Sequence, residues 1–221
     1  MKKCIFFPLI GDYDYFREPK VISPNWDYIC FTNNKKLKSK NIEIRYVKKD
    51  EDLSNVKFSR KIYILNHKFV GDYDLSISMI ASMKVLVDPD VFLKSLRQDD
   101  KIDMYISKHP KRDCIYKEAK QCIKLEKDDP KIIRKQIEMY KKEGYPENNG
   151  LAACGLMIRK HGRSNLEEHC ERWWNIVKNY STRDQLSFNY ILWKYNLINL
   201  EYFPFKVITG NKYFKKFPHK K

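Results

Sequence analysis

A short polar segment carries the first side chains in this sequence that could do chemistry. Glu147, Asn148 and Asn149 follow a Gly-Tyr-Pro turn and precede residues 151–158, an uncharged run with small residues inside it. The turn residues favour a loop, and the uncharged run predicts a buried strand with Gly155 where another backbone approaches closely. Because binding residues tend to lie on loops held by a rigid element, these side chains are candidates for ligand binding. An ordinary hairpin turn is the alternative.

Further polar clusters lie at the ends of other predicted elements. Carboxyl ends of strands in an α/β sheet meet at one edge, where ligands bind, and a helix N-terminus can face a phosphate. Converging cations and carboxylates suit an anionic ligand with hydroxyl groups, which describes a nucleotide sugar better than a nucleic acid. The clusters are Asp12-Tyr13-Asp14, Thr32-Asn33-Asn34, His109 with Arg112 and Asp113, and Arg183-Asp184-Gln185.

Each cluster also has a structural explanation. Asp184 at the start of a helix could be a cap or a partner of the helix dipole. Arg112 beside Asp113 could form a surface ion pair, and His109 before a proline could belong to a turn. The Glu147 segment joins the common edge only if the strand after it runs antiparallel.

Composition limits the class of protein. The chain has 221 residues, 44 Lys and Arg against 28 Asp and Glu, and a net charge of +16, which favours anionic partners or a solvated lysine-rich face. Six cysteines without a C-x-x-C pair predict reduced thiols and a cytoplasmic protein. No apolar run approaches the roughly 20 residues of a membrane span. The common nucleotide-binding, zinc-protease and serine-hydrolase motifs do not occur.

Apolar periodicity predicts alternating strands and helices, and therefore an α/β domain with a mostly parallel central sheet flanked by helices. We expect one domain over residues 1–221. Residues 73–87 predict two strands with a bend near Ala81 and Ser82. Helices are predicted from about Phe58 to Phe69 and over 183–193, and a capping box at 164–167 opens another helix. Residues 203–219 are aromatic and basic, and no element is assigned to them.

Seven blocks, in order over residues 4–219, resemble the glycosyltransferase-like family first catalogued as a domain of unknown function. That family has relatives among plant cell-wall and mucilage proteins, and the chain is also similar in size and shape to a glycosyltransferase domain encoded by a chlorella virus. The blocks are Gly11-Asp-Tyr-Asp14, Arg60-Lys61 with His67-Lys68, Tyr73-Asp74 with Ser76-Ile77, His109-Pro110 with Arg112-Asp113-Cys114 and Glu118-Ala119, Gly144 to Leu151, Trp173-Trp174, and Arg183-Asp184-Gln185 with Ser187-Phe188.

The resemblance implies a GT-A fold, a Rossmann-like nucleotide-diphospho-sugar transferase fold, with a UDP-sugar donor and a glycan or glycoprotein acceptor. It implies a divalent metal, Mn²⁺ or Mg²⁺, with Ser82 and His219 as the candidate ligands. Ile80 stands where the family's Asp-x-Asp-like motif has an aspartate, and a hard cation needs oxygen ligands. The catalytic candidates are Asp184, Asp113 and Glu147. The donor-binding candidates are Pro8, Leu9, Ile10, Asp12, Tyr13, Thr32, Arg60, Lys61, Ser82, His109, Arg112, Asn148, Asn149, Arg183 and Gln185.

Three functions follow as hypotheses. The first is a hexosyltransferase-like enzyme whose activity is reduced by the loss of the metal motif. The second is a nucleotide-sugar or glycan-binding module with a degenerate metal site at Ile80. The third is a basic nucleic-acid-binding protein, whose affinity would fall steeply with salt. No nucleic-acid motif occurs, so we expect no nucleic-acid partner.

Overall fold

The computed structural model describes residues 1–220, and a central β-sheet organises them. The strands in this part of the chain are β1 (Lys3–Leu9), β2 (Asp27–Thr32), β3 (Glu43–Tyr46), β4 (Leu75–Met79), β5 (Met83–Val85), β6 (Met104–Lys108), β7 (Ala152–Lys160), β8 (Leu200–Phe203) and β9 (Phe214–Lys216). The helices are α1 (Asn55–Ile64), α2 (His67–Val70), α3 (Pro89–Leu93), α4 (Ile115–Lys124), α5 (Pro130–Lys142), α6 (Ser164–Asn179), α7 (Phe188–Tyr195) and α8 (Lys206–Thr209), with a short 3₁₀ helix at Asp184–Leu186.

Seven strands form the sheet in the order β3-β2-β1-β4-β7-β6-β8, and β5 pairs with β9 in a separate two-stranded sheet. The pairings of β1 with β2 and β4, of β2 with β3, and of β6 with β8 are parallel. Only β7 runs against its neighbours β4 and β6. The α/β class with a mostly parallel sheet is therefore confirmed. Because β7 is antiparallel, the polar segment before it reaches the edge where β1, β2, β4 and β6 end.

Each face of the sheet is covered by a different apolar layer. Phe6, Ile106 and Cys154 point to one face, and the layer on it includes residues of α1, α4, α5, α6 and α7. Ile5 and Ile77 point to the other face, which packs against the β5–β9 pair, α3 and α8. The alternation of side chains along each buried strand produces this division. All six cysteines are free and buried, as expected of small apolar residues.

Several predicted elements have different boundaries in the structure. The bend between β4 and β5 is confirmed, and residues 80–82 form it. The helix expected over 58–69 begins earlier, at Asn55, and ends at Ile64, with α2 following as a separate turn. The helix expected over 183–193 is a 3₁₀ turn followed by α7. The capping box is wrong, because the N-cap of α6 is Arg163, without a side-chain capping hydrogen bond.

The aromatic and basic end of the chain forms regular structure that the pattern did not predict. β8, α8 and β9 are short, and the two strands pair with strands distant in sequence, β8 with β6 and β9 with β5. Within residues 1–220 no helix combines the length and the apolar character that crossing a membrane requires.

Candidate active site

The loops after β1 and β2 form one wall of the candidate site. The Gly11 N–H donates to Asn33 Oδ1 at 2.9 Å, and the Asn34 N–H donates to Thr32 Oγ1 at 3.1 Å. Gly11 has φ of 71°, and a Cβ there would lie 2.5 Å from Asn55 Nδ2. Glycine therefore lets the chain turn closely over the start of α1. The predicted donor-binding residues Pro8, Leu9 and Ile10 are buried where β1 ends, Thr32 is buried at the end of β2, and Asp12 and Tyr13 are exposed beyond them.

Asp184 lies at the centre of the site. It is 3% exposed, and its Oδ2 lies 3.2 Å from Arg60 Nη1 in an ion pair that lacks hydrogen-bond geometry. Among the described residues, three buried atoms here have no hydrogen-bond partner: Arg60 Nε, Arg183 Nε and Asp184 Oδ2. Native proteins rarely leave buried polar atoms unpaired, so a cluster of them indicates a place where a ligand completes the bonding.

The loop that presents Asp184 is held by an aspartate the sequence analysis did not identify. Asp128 Oδ2 accepts hydrogen bonds from Ser181 Oγ at 2.8 Å, Thr182 N at 2.6 Å and Thr182 Oγ1 at 2.8 Å. Burial alone would raise the pKa of the Asp128 carboxyl, but the hydrogen bonds from Thr182 and Ser181 outweigh it and lower the pKa. From the far side, Trp173 Nε1 donates to the Asp184 carbonyl at 3.3 Å.

Gln185 fixes the start of β7 to the Asp184 turn. Its Nε2 donates to the Ala152 carbonyl at 3.1 Å, and the Ala152 N–H donates to Asn189 Oδ1 at 2.7 Å. Asn189 Nδ2 in turn donates to the Tyr202 hydroxyl at 3.2 Å. Gln185, predicted to bind the donor, therefore donates its side-chain hydrogen bond to the backbone of β7, while Asn189 connects β7 to β8.

A buried carboxylate, Glu118 on α4, organises the cluster after β6. It pairs with Arg112 Nε, and His109 Nε2 lies 3.9 Å from Glu118 Oε2. His109 Nδ1 accepts the N–H groups of Lys111 and Arg112 at 3.3 and 3.1 Å, so the proton of the neutral ring is assigned to Nε2. Burial lowers the pKa of His109, only partly opposed by Glu118. His109 therefore stabilises the 109–112 turn through these two hydrogen bonds.

Glu118 also connects this cluster to Asp184 through Arg183. Burial would lower the pKa of the Arg183 guanidinium, but Asp184, Cys122 and Glu118 raise it above its ordinary value. Arg183 therefore stays charged under the influence of the carboxylates of Asp184 and Glu118. Glu118 was quoted within a sequence block but not proposed as a site residue, because a glutamate four residues into a helix gives no sign that it is buried.

Four predicted residues lie at the solvent-exposed rim. Asn148 has φ of 55°, and its Oδ1 accepts from Lys117 Nζ at 2.7 Å. The same ammonium lies 3.5 Å from Asp113, while Glu147 and Asn149 are exposed. All four side chains are accessible to solvent. Separately, the predicted Lys61 on α1 forms an ion pair with Asp50.

The residues proposed as metal ligands do not form a set that fits a divalent cation. Ser82 Oγ is buried and has no hydrogen-bond partner among residues 1–220, but the Ile80 side chain beside it offers no oxygen. His219 Nδ1 lies 2.7 Å from Asp14 Oδ1, and the His219 ring lies 4.4 Å from that of Tyr13. No group of three or more His, Cys, Asp or Glu side chains in the described part of the chain is arranged to hold a metal.

Comparison with known proteins finds relatives of this chain by sequence and by fold. In Arabidopsis thaliana, the protein named alkaline ceramidase TOD1 is 29% identical over 137 residues, which are 58% of this chain and 29% of that protein. This chain therefore spans less than a third of that relative's length.

Two solved structures share the fold. One is the apo structure of the WbbM bifunctional glycosyltransferase, with a TM-score of 0.52 and 11% identity over 92% of this chain and 38% of that one. The other is apo mouse xyloside xylosyltransferase 1, with a TM-score of 0.50 and 6% identity over 91% and 84% of the two chains. Both neighbours are glycosyltransferases by name, and the predicted GT-A fold is confirmed. The model of the TOD1/MUCI70 glycosyltransferase-like domain matches residues 2–219, and the chain belongs to that family.

Proposed function

We propose that this domain transfers a sugar from a nucleoside-diphosphate sugar, a UDP-sugar, to a hydroxyl group of a glycan or glycoprotein. The observation that carries the proposal is a set of buried atoms on Arg60, Arg183 and Asp184 that have no hydrogen-bond partner among residues 1–220. Two guanidinium donors and one carboxylate oxygen match the two charges of the reaction, a leaving diphosphate and a cationic sugar carbon. The family and the fold support the same reaction class.

The donor would lie along the edge formed by the ends of β1 and β2. Leu9 and Ile10 give this wall an apolar surface for the base, and the Gly11 turn brings backbone close to it. The diphosphate would then reach Arg60, whose Nε has no hydrogen-bond partner in the described part of the chain. Placing the base on the β1–β2 loops leaves the Asp184 side of the site for the transferred sugar.

Asp184 and the rim carboxylates would have different roles. As the bond between the anomeric carbon and the diphosphate oxygen breaks, its electron pair leaves with the diphosphate and positive charge develops on the carbon. The Asp184 carboxylate, which lies beside two guanidinium groups, would stabilise that charge. The acceptor hydroxyl forms the new bond and loses its proton to Asp113 or Glu147, which are exposed where an acceptor enters.

Charge on the leaving diphosphate would be offset by side chains of the protein. Arg60 and Arg183 are positioned for this role, since Ile80 and the paired His219 do not complete a set of metal ligands. Guanidinium groups bind phosphate oxygens in a bidentate manner and remain charged at every relevant pH. We therefore propose that donor binding does not require Mn²⁺ or Mg²⁺.

The test is the change Asp184→Asn, assayed by UDP release from a panel of UDP-sugars with and without oligosaccharide acceptors. The amide keeps the shape of the side chain but removes its charge, so we expect at least a hundredfold loss of turnover with UDP binding retained. Asp100→Asn is the matched control, because Asp100 is fully exposed. Unchanged turnover in a variant with normal thermal melting would remove Asp184 from the mechanism.

A binding module is the second candidate, and Ile80 favours it. Calorimetric titration of UDP, followed by an assay for sugar release, separates the two functions. Binding together with turnover supports the enzyme, whereas binding without turnover for every donor tested supports the module. Ceramide hydrolysis, the activity in the name of the Arabidopsis relative, is less well supported, because that match covers 29% of the relative.

A further inference from the structure

One surface of the molecule combines exposed apolar side chains with lysines. Four of the large apolar residues most exposed to solvent lie within ten positions: Tyr13 at 61%, Tyr15 at 56%, Val21 at 39% and Ile22 at 44%. They belong to the segment between β1 and β2. Single exposed apolar residues are ordinary, but four in one short segment form a patch that indicates an interaction site.

This segment is attached to the β5–β9 pair, so the two form one layer. The Lys20 N–H donates to the Val85 carbonyl of β5 at 2.8 Å, and the Lys220 N–H donates to the Tyr13 carbonyl at 3.1 Å. The Arg17 guanidinium lies 4.5 Å from the centre of the Phe217 ring. We call residues 13–22, β5 and residues 212–220 the basic-apolar surface.

The charges of the basic-apolar surface are arranged unfavourably for an isolated protein. Lys84 of β5 lies directly opposite Lys215 of β9 in the antiparallel register. Like charges at facing positions repel each other and destabilise a strand pair. Lys20 and Lys212 are exposed in these segments, whereas the exposed Lys216 follows Lys215 in β9 and points to the other face of the strand. An anionic partner would relieve the repulsion.

The acidic side chains in this region are already engaged. Asp12 pairs with Lys220, and Asp14 lies 2.7 Å from His219. Glu18 accepts a hydrogen bond from Ser39 at 2.5 Å. The lysines named above therefore dominate the field that a partner meets.

We infer that the basic-apolar surface docks the domain onto an anionic lipid bilayer. Val21 and Ile22 enter the boundary between headgroups and acyl chains, Tyr15 lies at the headgroup level, and the lysines contact acidic headgroups. A soluble polyanion would be bound by the lysines alone and would leave the aliphatic side chains in water. The surface adjoins the loop after β1, so docking would hold the candidate active site near the membrane. This inference does not depend on the proposed transfer reaction.

The experiment is sedimentation of the full chain with vesicles of phosphatidylcholine alone or with 30% phosphatidylserine, at physiological salt. We expect binding to the vesicles that contain phosphatidylserine. The changes Val21→Ser with Ile22→Ser, and separately Lys84→Gln with Lys215→Gln, should each weaken it about tenfold or more. Each variant removes one of the two contributions, so a folding defect in one leaves the other as a test.

The matched control is Lys131→Gln with Lys135→Gln, which removes the same charge from exposed positions of α5. Binding close to that of the wild type in this control supports a defined surface. Equal losses in the control and in the Lys84 and Lys215 variant would overturn the inference, because net charge alone would then explain binding. Full affinity after the Val21 and Ile22 changes, or a phosphatidylserine-independent interaction, would also overturn it. A heparin probe that binds more tightly than the vesicles do is the remaining outcome. If that binding were lost in the Lys84 and Lys215 variant but kept in the Val21 and Ile22 variant, it would indicate a soluble polyanion as the partner.

Discussion

Removing the carboxylate of Asp128 is expected to loosen the loop that carries Asp184. The change Asp128→Ala deletes the acceptor of three hydrogen bonds from Ser181 and Thr182, at 2.6 to 2.8 Å. Hydrogen bonds to charged groups contribute about 1.5–3 kcal/mol each, but these share one oxygen of a half-buried side chain and are not additive. We therefore expect a loss of about 2–3 kcal/mol in the free energy of unfolding. For a chain of this length that lowers Tm by roughly 5–10 °C.

Urea denaturation at pH 7 measures the loss, and Asp128→Asn, which keeps one acceptor oxygen, should lose about half as much. The pKa of Asp128 is lowered in the folded state, so its contribution is present above the ordinary aspartate value of about 3.9. It disappears as the pH falls through the folded pKa. The difference between wild type and variant should therefore shrink below about pH 3.9.

Comparing turnover with UDP affinity in Asp128→Ala distinguishes an effect on the position of Asp184 from an effect on donor binding. Turnover should fall in Asp128→Ala while the affinity for UDP stays near that of the wild type, since the β1–β2 wall does not involve this loop. Asp100→Asn should change stability by less than about 0.5 kcal/mol. A loss in Asp128→Ala no larger than that control, or a pH-independent difference, would refute the reasoning.

Three further changes test other parts of the structure. Ile80→Asp supplies the missing carboxylate, so UDP should bind to this variant more tightly when Mn²⁺ is added. If Mn²⁺ leaves the affinity for UDP unchanged, residue 80 does not lie beside the diphosphate. His169 is fully buried with both ring nitrogens unpaired among the described residues, and burial lowers its pKa to about 3. The unfolded state therefore binds the proton first as the pH falls below about 6.5, and His169 should contribute a loss of stability of up to about 1.4 kcal/mol per pH unit. His169→Leu should remove this contribution from the slope measured by pH-dependent denaturation. Gly11→Ala should cost about 1–2 kcal/mol and weaken UDP binding, because φ is 71° there and the new Cβ meets Asn55; unchanged melting would contradict this.

The sequence by itself determined the class of fold and most of its elements. The uncharged runs of β1, β2 and β7 predict buried strands because they are short and are bounded by turn-forming or charged residues. The bend at residues 80–82 and the candidacy of Asp184 also followed from local pattern. Local signals suffice in these cases because the chemistry of neighbouring residues restricts the backbone before any distant contact forms.

The tertiary structure alone decided which charged side chains are buried and which short elements form by pairing with a distant segment. Glu118 and Asp128 look like ordinary helix and loop acids, and only the packing of α4 against the 181–186 loop makes them internal partners of Arg112, Arg183 and Thr182. β9 has three residues and exists because β5 lies beside it. The capping box failed for the same reason, since the entry of the chain into α6 is fixed by the ion pair of Arg163 with Asp103 and not by Ser164. Burial and pairing between distant segments depend on how layers pack, and local sequence does not encode that packing.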